Sequence, residues 1–396
     1  MVQIHRWFRR FAAYTTDAMR RLYTLLAALF SLSAVAQQPG AGNATAANPD
    51  GSITFRYSNA GAQTVTVETD AVAKPLPMQK DDKGMWSVTT PPLKPEHYGY
   101  AFKVDGGPAM LDPTAHTLRP NLVSFSSDIL VPGSTPQPWE LTGIPHGKVT
   151  RHVYTTHIAT GLPANQEPYL VYTPPGYDPK HSGGYPTLYL LHGWSDTEVG
   201  WTAVGQAQLI LDTLLSQGKI VPMVVVMPQG YGDYSFVTSG FDIWNNAAKV
   251  DDNVGLFSEM LTEEILPAVE RDYAVAKDRD HRAVAGLSMG GLESLTLGLT
   301  HHELFSYVVG MSSAVHGEKF DQHFPALAAG DKNSGVGFKL LWVACGTEDQ
   351  LINPNRRFVT WAKSKGLPIT AVETPGQHTW LVWRQNLLTV APLLFK

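Results

Sequence analysis

The segment Arg282–Leu299, RAVAGLSMGGLESLTLGL, constrains the fold of this chain more than any other. RAVA is an apolar run typical of a buried strand, and three leucines further on share one face of a following helix. Ser288 lies between them, with Gly286 two residues before and Gly290 two residues after. A side chain at either glycine would collide with the strand or the helix if the turn were tight. The pattern predicts a strand–turn–helix unit that presents Ser288 at the edge of a sheet.

Apolar runs and longer helical stretches alternate over residues 146–396. The runs end mostly in Gly, Pro or a polar residue and are YLVYT, TLYLLHG, MVVVMPQG, RAVAG, YVVGMSS, LLWVACG and TAVETPG. Strands of this kind, separated by helices, indicate a mostly parallel sheet that is covered on both faces. The predicted fold class of this part is therefore α/β.

Residues 50–132 follow a two-residue period instead. Ile53, Phe55 and Tyr57 alternate with polar neighbours, and further short alternating runs are divided by Gly, Pro and Asp. This pattern predicts a small antiparallel β-sandwich. The proline-containing stretch 133–145 then reads as a linker to the α/β part.

Residues 1–36 have the features of a targeting segment. Two arginines precede LYTLLAALFSLSAVA, an apolar run too short to span a bilayer comfortably, which ends in small residues. We expect a signal peptide cleaved before Gln37, a flexible tether over 37–49, and a secreted or periplasmic protein. A membrane anchor or a buried helix is the alternative, and Met19 is a second possible start.

Charge and cysteine content narrow the class of partner. Without residues 1–36, which carry five arginines and one aspartate, the net charge falls from −5 to −9. Such a surface argues against nucleic acid or an anionic membrane as partner. Cys345 is the single cysteine and lies in an apolar run, which favours a buried strand position, and no Cys/His cluster has zinc spacing. We expect neither a metal nor a cofactor.

A serine nucleophile needs a base, and the base needs an orienting acid. In this strand–turn–helix setting the chain order is Ser, then Asp or Glu, then His. His378 lies after the last predicted strand, where the base is expected, and LLWVACGTEDQL offers Glu348 and Asp349 as acids after an earlier strand. We assign Asp349, with Glu348 as the alternative. Glu373 is less favoured because it ends the strand that leads to His378.

An oxyanion hole requires two convergent N–H groups. The Met289 N–H, directly after Ser288, is the first candidate. The second is expected from the loop after an earlier strand, and TLYLLHGWSD supplies the Trp194 N–H, with Gly193 allowing a close approach. We interpret His192 as a residue that holds this loop and not as a second base.

Several segments of the α/β part resemble one known group. LYLLHGWSD, LTEEILPAVERDY, RAVAGLSMGG, CGTEDQL and HTWLVWR look like the feruloyl esterase branch of carbohydrate esterase family one, which is related to esterase D and to siderophore trilactone esterases. The resemblance implies an α/β-hydrolase fold and ester hydrolysis. It implies the same roles for Ser288, His378 and Asp349, and for the N–H groups of Met289 and Trp194. Relatives often have further glycines where this chain has Trp194.

The N-terminal part resembles early-set immunoglobulin-like modules, related to glycogen-binding modules, that precede many carbohydrate-active domains. The resemblance rests on GMWSVTTPPLKPEHYGYAFKVDG followed by LDP. Trp86, Tyr98 and Tyr100 are candidate sugar platforms, but aromatic residues of such modules more often fill the sandwich core. We expect a packed accessory domain with weak or no affinity for glycans.

The long aromatic segment 230–252 has the character of a substrate-covering loop. The candidate substrate-binding residues are Trp194, Tyr231, Phe241, Trp244 and Trp380, which could clasp a planar acyl group. The alternative for the loop aromatics is packing into the loop's own core.

The first functional hypothesis is a secreted serine carboxylesterase that releases hydroxycinnamates from plant cell-wall polysaccharide. Its substrates would be polysaccharide esters or small aromatic esters. An acetyl xylan esterase or a siderophore esterase is the alternative among enzymes. A non-catalytic carbohydrate-binding protein on an esterase-like scaffold is the alternative from another class. The oligomeric state stays open.

Overall fold

The alternating apolar residues of the N-terminal part form two antiparallel sheets. The computed structural model describes residues 44–315, 320–324 and 337–396. The first sheet has the order β1-β2-β6-β5, with β1 (Ala46–Ala47), β2 (Ile53–Ser58), β5 (Gln79–Lys80) and β6 (Met85–Thr89). The second has the order β4-β3-β7-β10-β9, with β8 paired to β7. Its strands are β3 (Val65–Thr69), β4 (Leu76–Pro77), β7 (Glu96–Val104), β8 (Ala109–Met110), β9 (Thr117–Arg119) and β10 (Ser126–Val131).

The predicted signal peptide and most of the predicted tether lie outside the described residues. The last part of the tether is described, and there β1 pairs with β2 through Ala46 and Ala47. The first sheet thus begins at Ala46, a few residues before position 50, at which the alternating sequence pattern starts.

The aromatic residues singled out as sugar platforms fill the core between the two sheets. Trp86, Tyr98 and Tyr100 are all buried. The Trp86 Nε1–H donates to the Asn59 carbonyl at 2.9 Å, and the Tyr100 hydroxyl donates to Asp112 at 2.7 Å. Buried rings whose polar atoms are already bonded cannot stack on a sugar, so the core alternative describes these residues.

The α/β part is built on one eight-stranded sheet of order β11-β12-β14-β13-β15-β16-β17-β18. The two pairs at its start, β11 with β12 and β12 with β14, are antiparallel, and the remaining pairs are parallel. The strands are β11 (Lys148–Thr155), β12 (Gln166–Thr173), β13 (Thr187–Leu191), β14 (Val224–Pro228), β15 (Arg282–Leu287), β16 (Tyr307–Met311), β17 (Leu340–Gly346) and β18 (Ile369–Thr374). The sheet is therefore mostly parallel, as the apolar runs predict.

Helices cover both faces of this sheet. They are α1 (Ala207–Ser216), α2 (Ser235–Thr238), α3 (Ala247–Met260), α4 (Leu266–Asp272), α5 (Met289–Thr300), α6 (Phe320–His323), α7 (Ile352–Ser364) and α8 (Trp380–Val390). Along β13, Tyr189 and Leu191 join the apolar cluster under α3, α4, α5 and α7, whereas Leu188 and Leu190 join the cluster under α1 and α8. Burial on both faces explains why the strand is continuously apolar.

The segment predicted as a linker is packed against the α/β part. Trp139 is buried in the apolar cluster that also contains residues of α1 and α8. Leu381 of α8 packs in turn against the core of the sandwich. The described residues from Thr45 onward accordingly form one compact unit. Among the helices of the described residues, none is both long and apolar enough to cross a membrane.

Candidate active site

Ser288 occupies a strained turn between β15 and α5. Its backbone lies at φ 54° and ψ −112°, a conformation that a non-glycine residue adopts only when its surroundings impose it. A Cβ on Gly286 would lie 2.1 Å from the Gly290 carbonyl oxygen, and a Cβ on Gly290 would lie 2.4 Å from that of His192. Both clashes involve backbone, so the two glycines are what allows the turn. This geometry is the nucleophile elbow that the GLSMG sequence predicts.

The structure brings Ser288, His378 and Asp349 together. His378 Nε2 lies 3.0 Å from Ser288 Oγ, and His378 Nδ1 lies 2.8 Å from Asp349 Oδ2. The three residues follow β15, β18 and β17, which are parallel strands of one sheet. Because the carboxyl ends of parallel strands meet at one edge, residues far apart in sequence come within hydrogen-bonding reach.

The Asp349 side chain is buried, and each of its two carboxylate oxygens has a hydrogen-bonding partner. Burial acts to raise its pKa, but the hydrogen bond and charge of His378 and the Leu351 N–H, at 2.8 Å from Oδ1, outweigh burial and lower the pKa overall. The group is therefore ionised near neutral pH and fixes a proton on His378 Nδ1, which leaves Nε2 to accept from Ser288. Glu348 is exposed, and Glu373 pairs with Arg356 at 2.7 Å, so neither alternative acid contacts His378.

The ring of His378 is packed against Trp383 of α8. The two rings meet edge to face with their centres 4.9 Å apart, and the Trp383 Nε1–H donates to Ser312 Oγ at 3.1 Å. This indole therefore limits how far the imidazole can turn away from Ser288. Trp383 lies within the HTWLVWR segment. The segment alone does not reveal the contact with His378, because the contact depends on the direction in which α8 leaves the loop.

The loop after β13 runs directly beside the nucleophile. A Cβ on Gly193 would lie 3.2 Å from Ser288 Cβ, so only a residue without a side chain fits there easily. The Gly290 N–H donates to the His192 carbonyl at 3.0 Å, which fixes this loop to the start of α5. Within the described part of the chain, the N–H groups of Trp194 and Met289 have no protein acceptor. They are free to bind an anionic oxygen formed at the nucleophile.

The His192 side chain fixes this loop through two hydrogen bonds. It is buried, its Nδ1 lies 2.8 Å from the Gly193 carbonyl oxygen, and its Nε2 accepts from the Gly230 N–H at 2.9 Å. Burial lowers its pKa to about 4, so the ring is neutral at physiological pH. Both ring nitrogens are occupied, which fits a structural residue and not a second base.

A cavity of about 290 Å³ opens onto Ser288 and His378. Trp194, Trp380 and Trp383 form apolar parts of its wall. Asp70 and Asn121, from the β-sandwich part, also line this cavity. Sequence reasoning missed these two polar residues, because nothing in their local pattern connects them with Ser288, which lies more than 160 residues further along the chain.

The structure separates the predicted substrate-binding aromatics into two groups. Trp194 and Trp380 line the catalytic cavity, and Phe241, 65% exposed, packs edge to face on Trp194 with ring centres 5.3 Å apart. Tyr231 is 1% exposed and its hydroxyl donates to the Asp196 carbonyl at 3.2 Å, while Trp244 packs on Phe236. A substrate contact by Tyr231 or Trp244 is therefore not supported, because Tyr231 is part of the apolar cluster under α3, α4, α5 and α7 and Trp244 packs against that cluster.

The fold and the site define a carboxylic ester hydrolase of the α/β-hydrolase type. The chain belongs to the esterase family: the model of the family described as "Putative esterase" matches residues 165–394, more than half of the chain. The expectation of an ester hydrolase is thereby confirmed.

Two of the curated relatives that match this chain are named as esterases. The endo-1,4-beta-xylanase/feruloyl esterase of Xylanibacter ruminicola is 29% identical over 88% of this chain and 45% of its own length. The acetyl esterase of Caldicellulosiruptor saccharolyticus is 23% identical over 51% of this chain and 80% of its own length. The chain thus spans less than half the length of the bifunctional relative.

Solved structures share the fold. A ferulic acid esterase from Anaeromyces mucronatus, in complex with ferulic acid, superposes with a TM-score of 0.55 at 20% identity, covering 65% of this chain and 93% of that one. The enterobactin esterase of Shigella flexneri superposes with a TM-score of 0.64 at 18% identity, covering 86% of this chain and 92% of that one. The second alignment, at 86% of the chain, is longer than the α/β part alone and so includes part of the β-sandwich. At these identities the likeness concerns the fold alone.

Proposed function

We propose that this chain is a serine esterase that cleaves hydroxycinnamate esters of plant cell-wall polysaccharide through an acyl-enzyme on Ser288. One observation carries the proposal: Ser288 Oγ, His378 and Asp349 form a continuous hydrogen-bonded chain beside two free backbone N–H groups. A nucleophile, a base, an orienting acid and an oxyanion site are the complete set required for acyl transfer to serine.

The reaction would proceed in two steps. Ser288 Oγ attacks the ester carbonyl carbon while His378 Nε2 takes its proton, and the N–H groups of Trp194 and Met289 bind the oxyanion. Collapse of the tetrahedral intermediate expels the alcohol, which receives the proton from His378. Water then attacks the acyl-enzyme with the same base, and the acid product leaves. Asp349 stabilises the imidazolium in both steps without accepting its proton.

The aromatic side chains that line the cavity support an aromatic acyl group. Trp194, Trp380 and Trp383 offer indole surfaces to a planar ring. Aromatic pairs contribute about 0.5–1.5 kcal/mol beyond simple burial, a gain that an acetyl group cannot obtain. The feruloyl esterase activity named for the Xylanibacter ruminicola relative agrees with this preference.

A siderophore trilactone is the second candidate substrate. The observation that favours it is the superposition with the Shigella flexneri enterobactin esterase, which extends over 86% of this chain. The acetyl esterase relative supports an acetylated sugar more weakly, because it matches only 51% of the chain.

A substrate panel separates these candidates. The purified chain is assayed with methyl ferulate, acetylated xylan and enterobactin, with Ser288→Ala as the blank. We expect the highest kcat/KM with methyl ferulate. A higher value with enterobactin or with acetylated xylan would replace the proposed acyl group.

We propose further that residues 1–36 direct secretion and that the sandwich is an immunoglobulin-like module with little affinity for glycans. The buried positions of Trp86, Tyr98 and Tyr100 support the second statement. Retention of the Ser288→Ala chain on immobilised xylan would count against it. Amino-terminal sequencing of protein exported by a suitable host tests cleavage before Gln37.

A further inference from the structure

The loop that follows β13, residues 192–196, carries the proposed oxyanion donor Trp194 and is called the oxyanion loop here. The segment 121–122 of the sandwich part is hydrogen-bonded directly to this loop. The Leu122 N–H donates to the Ser195 carbonyl at 2.7 Å. The Asn121 side-chain amide donates to Ser195 Oγ at 2.9 Å and to Asp196 Oδ1 at 3.0 Å. Three hydrogen bonds thus bind the two residues that follow Trp194, whose N–H is the proposed oxyanion donor.

The oxyanion loop needs such external support. Ser195 has φ 71°, in the left-handed region that serine rarely adopts, and the Asp196 N–H closes a turn onto the Gly193 carbonyl at 3.1 Å. Asp196 is buried, and a buried carboxyl group requires a hydrogen-bonding partner. The Asn121 amide supplies one, so it stabilises the loop in this strained form.

Asn121 is itself held in a single orientation. Its Oδ1 accepts from the Val123 N–H and the Ser124 N–H, both at 3.0 Å. The amide oxygen is therefore occupied by local donors, and the amide nitrogen is directed at the two acceptors of the oxyanion loop.

A second connection joins the sandwich to the helix that follows the catalytic histidine. Arg384 of α8 is fully buried. Its Nε lies 3.0 Å from Glu96 Oε1, and its two terminal nitrogens donate to the carbonyls of His97 and Val204 at 3.0 and 2.7 Å. Glu96 and His97 belong to β7 of the sandwich, whereas α8 begins two residues after His378.

The same sandwich surface also reaches the catalytic cavity through Asp70. Arg119 Nη1 lies 2.6 Å from Asp70 Oδ2, and the Gly99 N–H donates to Asp70 Oδ1 at 2.9 Å. Arg119 donates as well to the His97 carbonyl at 2.9 Å, next to the Arg384 contact. One connected polar network therefore links the cavity wall, the second sheet of the sandwich and α8.

We infer that the β-sandwich is a structural part of the catalytic centre, and that Asn121 is a positioning residue for the oxyanion loop. The inference deepens the proposed function and rests on it for the role of the Trp194 N–H. It assigns to the accessory module a task in every turnover, including turnover of small esters that touch no polysaccharide.

The expected size of the effect follows from the sensitivity of oxyanion holes to geometry. Loss of one oxyanion donor typically costs about 10²–10³ in kcat, and a misplacement of about 1 Å can cost about 10². A loosened loop keeps the donor but displaces it, so a loss of about 10- to 100-fold in kcat is expected, with KM changed much less.

The test exchanges the two partners of the Asn121–Asp196 hydrogen bond in the full-length chain. Asn121→Asp keeps the acceptor for Val123 and Ser124 but places a carboxylate against Asp196. The double variant Asn121→Asp/Asp196→Asn restores one donor and one acceptor in reversed order. Asp196→Asn alone retains an acceptor for Asn121, and Ser124→Ala is the control in the same exposed loop.

Activity is measured with 4-nitrophenyl acetate, an activated ester whose hydrolysis does not depend on the feruloyl preference. The rates are divided by the concentration of sites that a fluorophosphonate titrates, so that an unfolded fraction does not lower the apparent kcat. We expect Asn121→Asp to lose about 10- to 100-fold in kcat and the double variant to recover to within a few-fold of Asp196→Asn. Ser124→Ala should match the wild type.

Two results would overturn the inference: an unchanged kcat in Asn121→Asp, or a double variant no more active than Asn121→Asp. An effect on KM alone would also overturn it, since that would make Asn121 a substrate contact. Failure of the proposed function looks different, because Ser288→Ala would then keep its activity, or methyl ferulate would be a poor wild-type substrate while the Asn121 comparison still held.

Discussion

The Gly290 N–H donates to the His192 carbonyl oxygen at 3.0 Å, which joins the start of α5 to the oxyanion loop. The contact is possible because Gly290 has no side chain: a Cβ there would lie 2.4 Å from the same oxygen. One backbone hydrogen bond thus joins the two segments that carry the proposed nucleophile and the proposed oxyanion donors.

Gly290→Ala is expected to damage catalysis more than stability. The added Cβ meets backbone atoms that cannot rotate away, so the oxyanion loop must shift from Ser288, and kcat should fall by about 10² or more. Gly255→Ala is the matched control, because a Cβ at this helical position of α3 meets no atom within 4 Å. It should leave kcat unchanged and raise stability by up to about 1 kcal/mol. Steady-state kinetics and thermal melts of both variants decide the point, and equal activities would refute the role given to Gly290.

Ser288→Ala and His378→Ala should each reduce kcat by several orders of magnitude without unfolding the protein. The two residues are hydrogen-bonded at 3.0 Å and act as one unit, so the double variant should be no slower than the more damaged single variant. Circular dichroism checks the fold and kinetics check the rates. Losses that multiply in the double variant would show that the two residues act independently.

Asp349→Asn should preserve the loop but remove the charge that sets the His378 tautomer. By analogy with serine proteases, the expected loss in kcat is about 10⁴. Glu348→Gln, at the exposed neighbouring position, is the control and should have little effect. The reverse order of damage would transfer the role of the acid to Glu348.

Asp196 should make the stability of the protein depend on pH. Burial raises the pKa of its carboxyl group to about 7 from an ordinary value of 3.8, and its hydrogen bond with Asn121 and the charge of Arg119 only partly offset that rise. Between these two pH values the unfolded chain releases the proton while the folded chain keeps it, so this group makes the protein less stable as pH rises from about 4 to about 7.

Asp196→Asn removes this dependence. The melting temperature of the variant, relative to that of the wild type, should therefore rise across the same pH interval and then level off. Differential scanning calorimetry of both proteins at pH 5 and pH 8 measures the difference. A Tm difference that is the same at both values would mean that Asp196 is already ionised at pH 5.

The parts of the site that depend on local sterics could be predicted from the sequence. The turn at Ser288 needs glycine at fixed offsets, and the order of Ser288, Asp349 and His378 follows from the order of the strands. The fates of Tyr231 and Trp244 could not be predicted, because an aromatic residue in a long segment packs inward or outward according to neighbours that the local pattern does not reveal. The contact of Asn121 could not be predicted for a similar reason. Its hydrogen bond to Ser195 spans 74 residues and joins loops that belong to two different sheets.

The most direct test of the account is the capture of the acyl-enzyme. The wild-type chain is mixed with excess methyl ferulate, quenched in acid within the first turnover, digested and analysed by mass spectrometry. We predict that the wild-type peptide that contains Ser288 carries a feruloyl group. The corresponding peptide of Ser288→Ala should carry none. Rapid turnover by the wild type, with a feruloyl adduct on another residue or continued hydrolysis by Ser288→Ala, would contradict the assignment of Ser288 as the nucleophile.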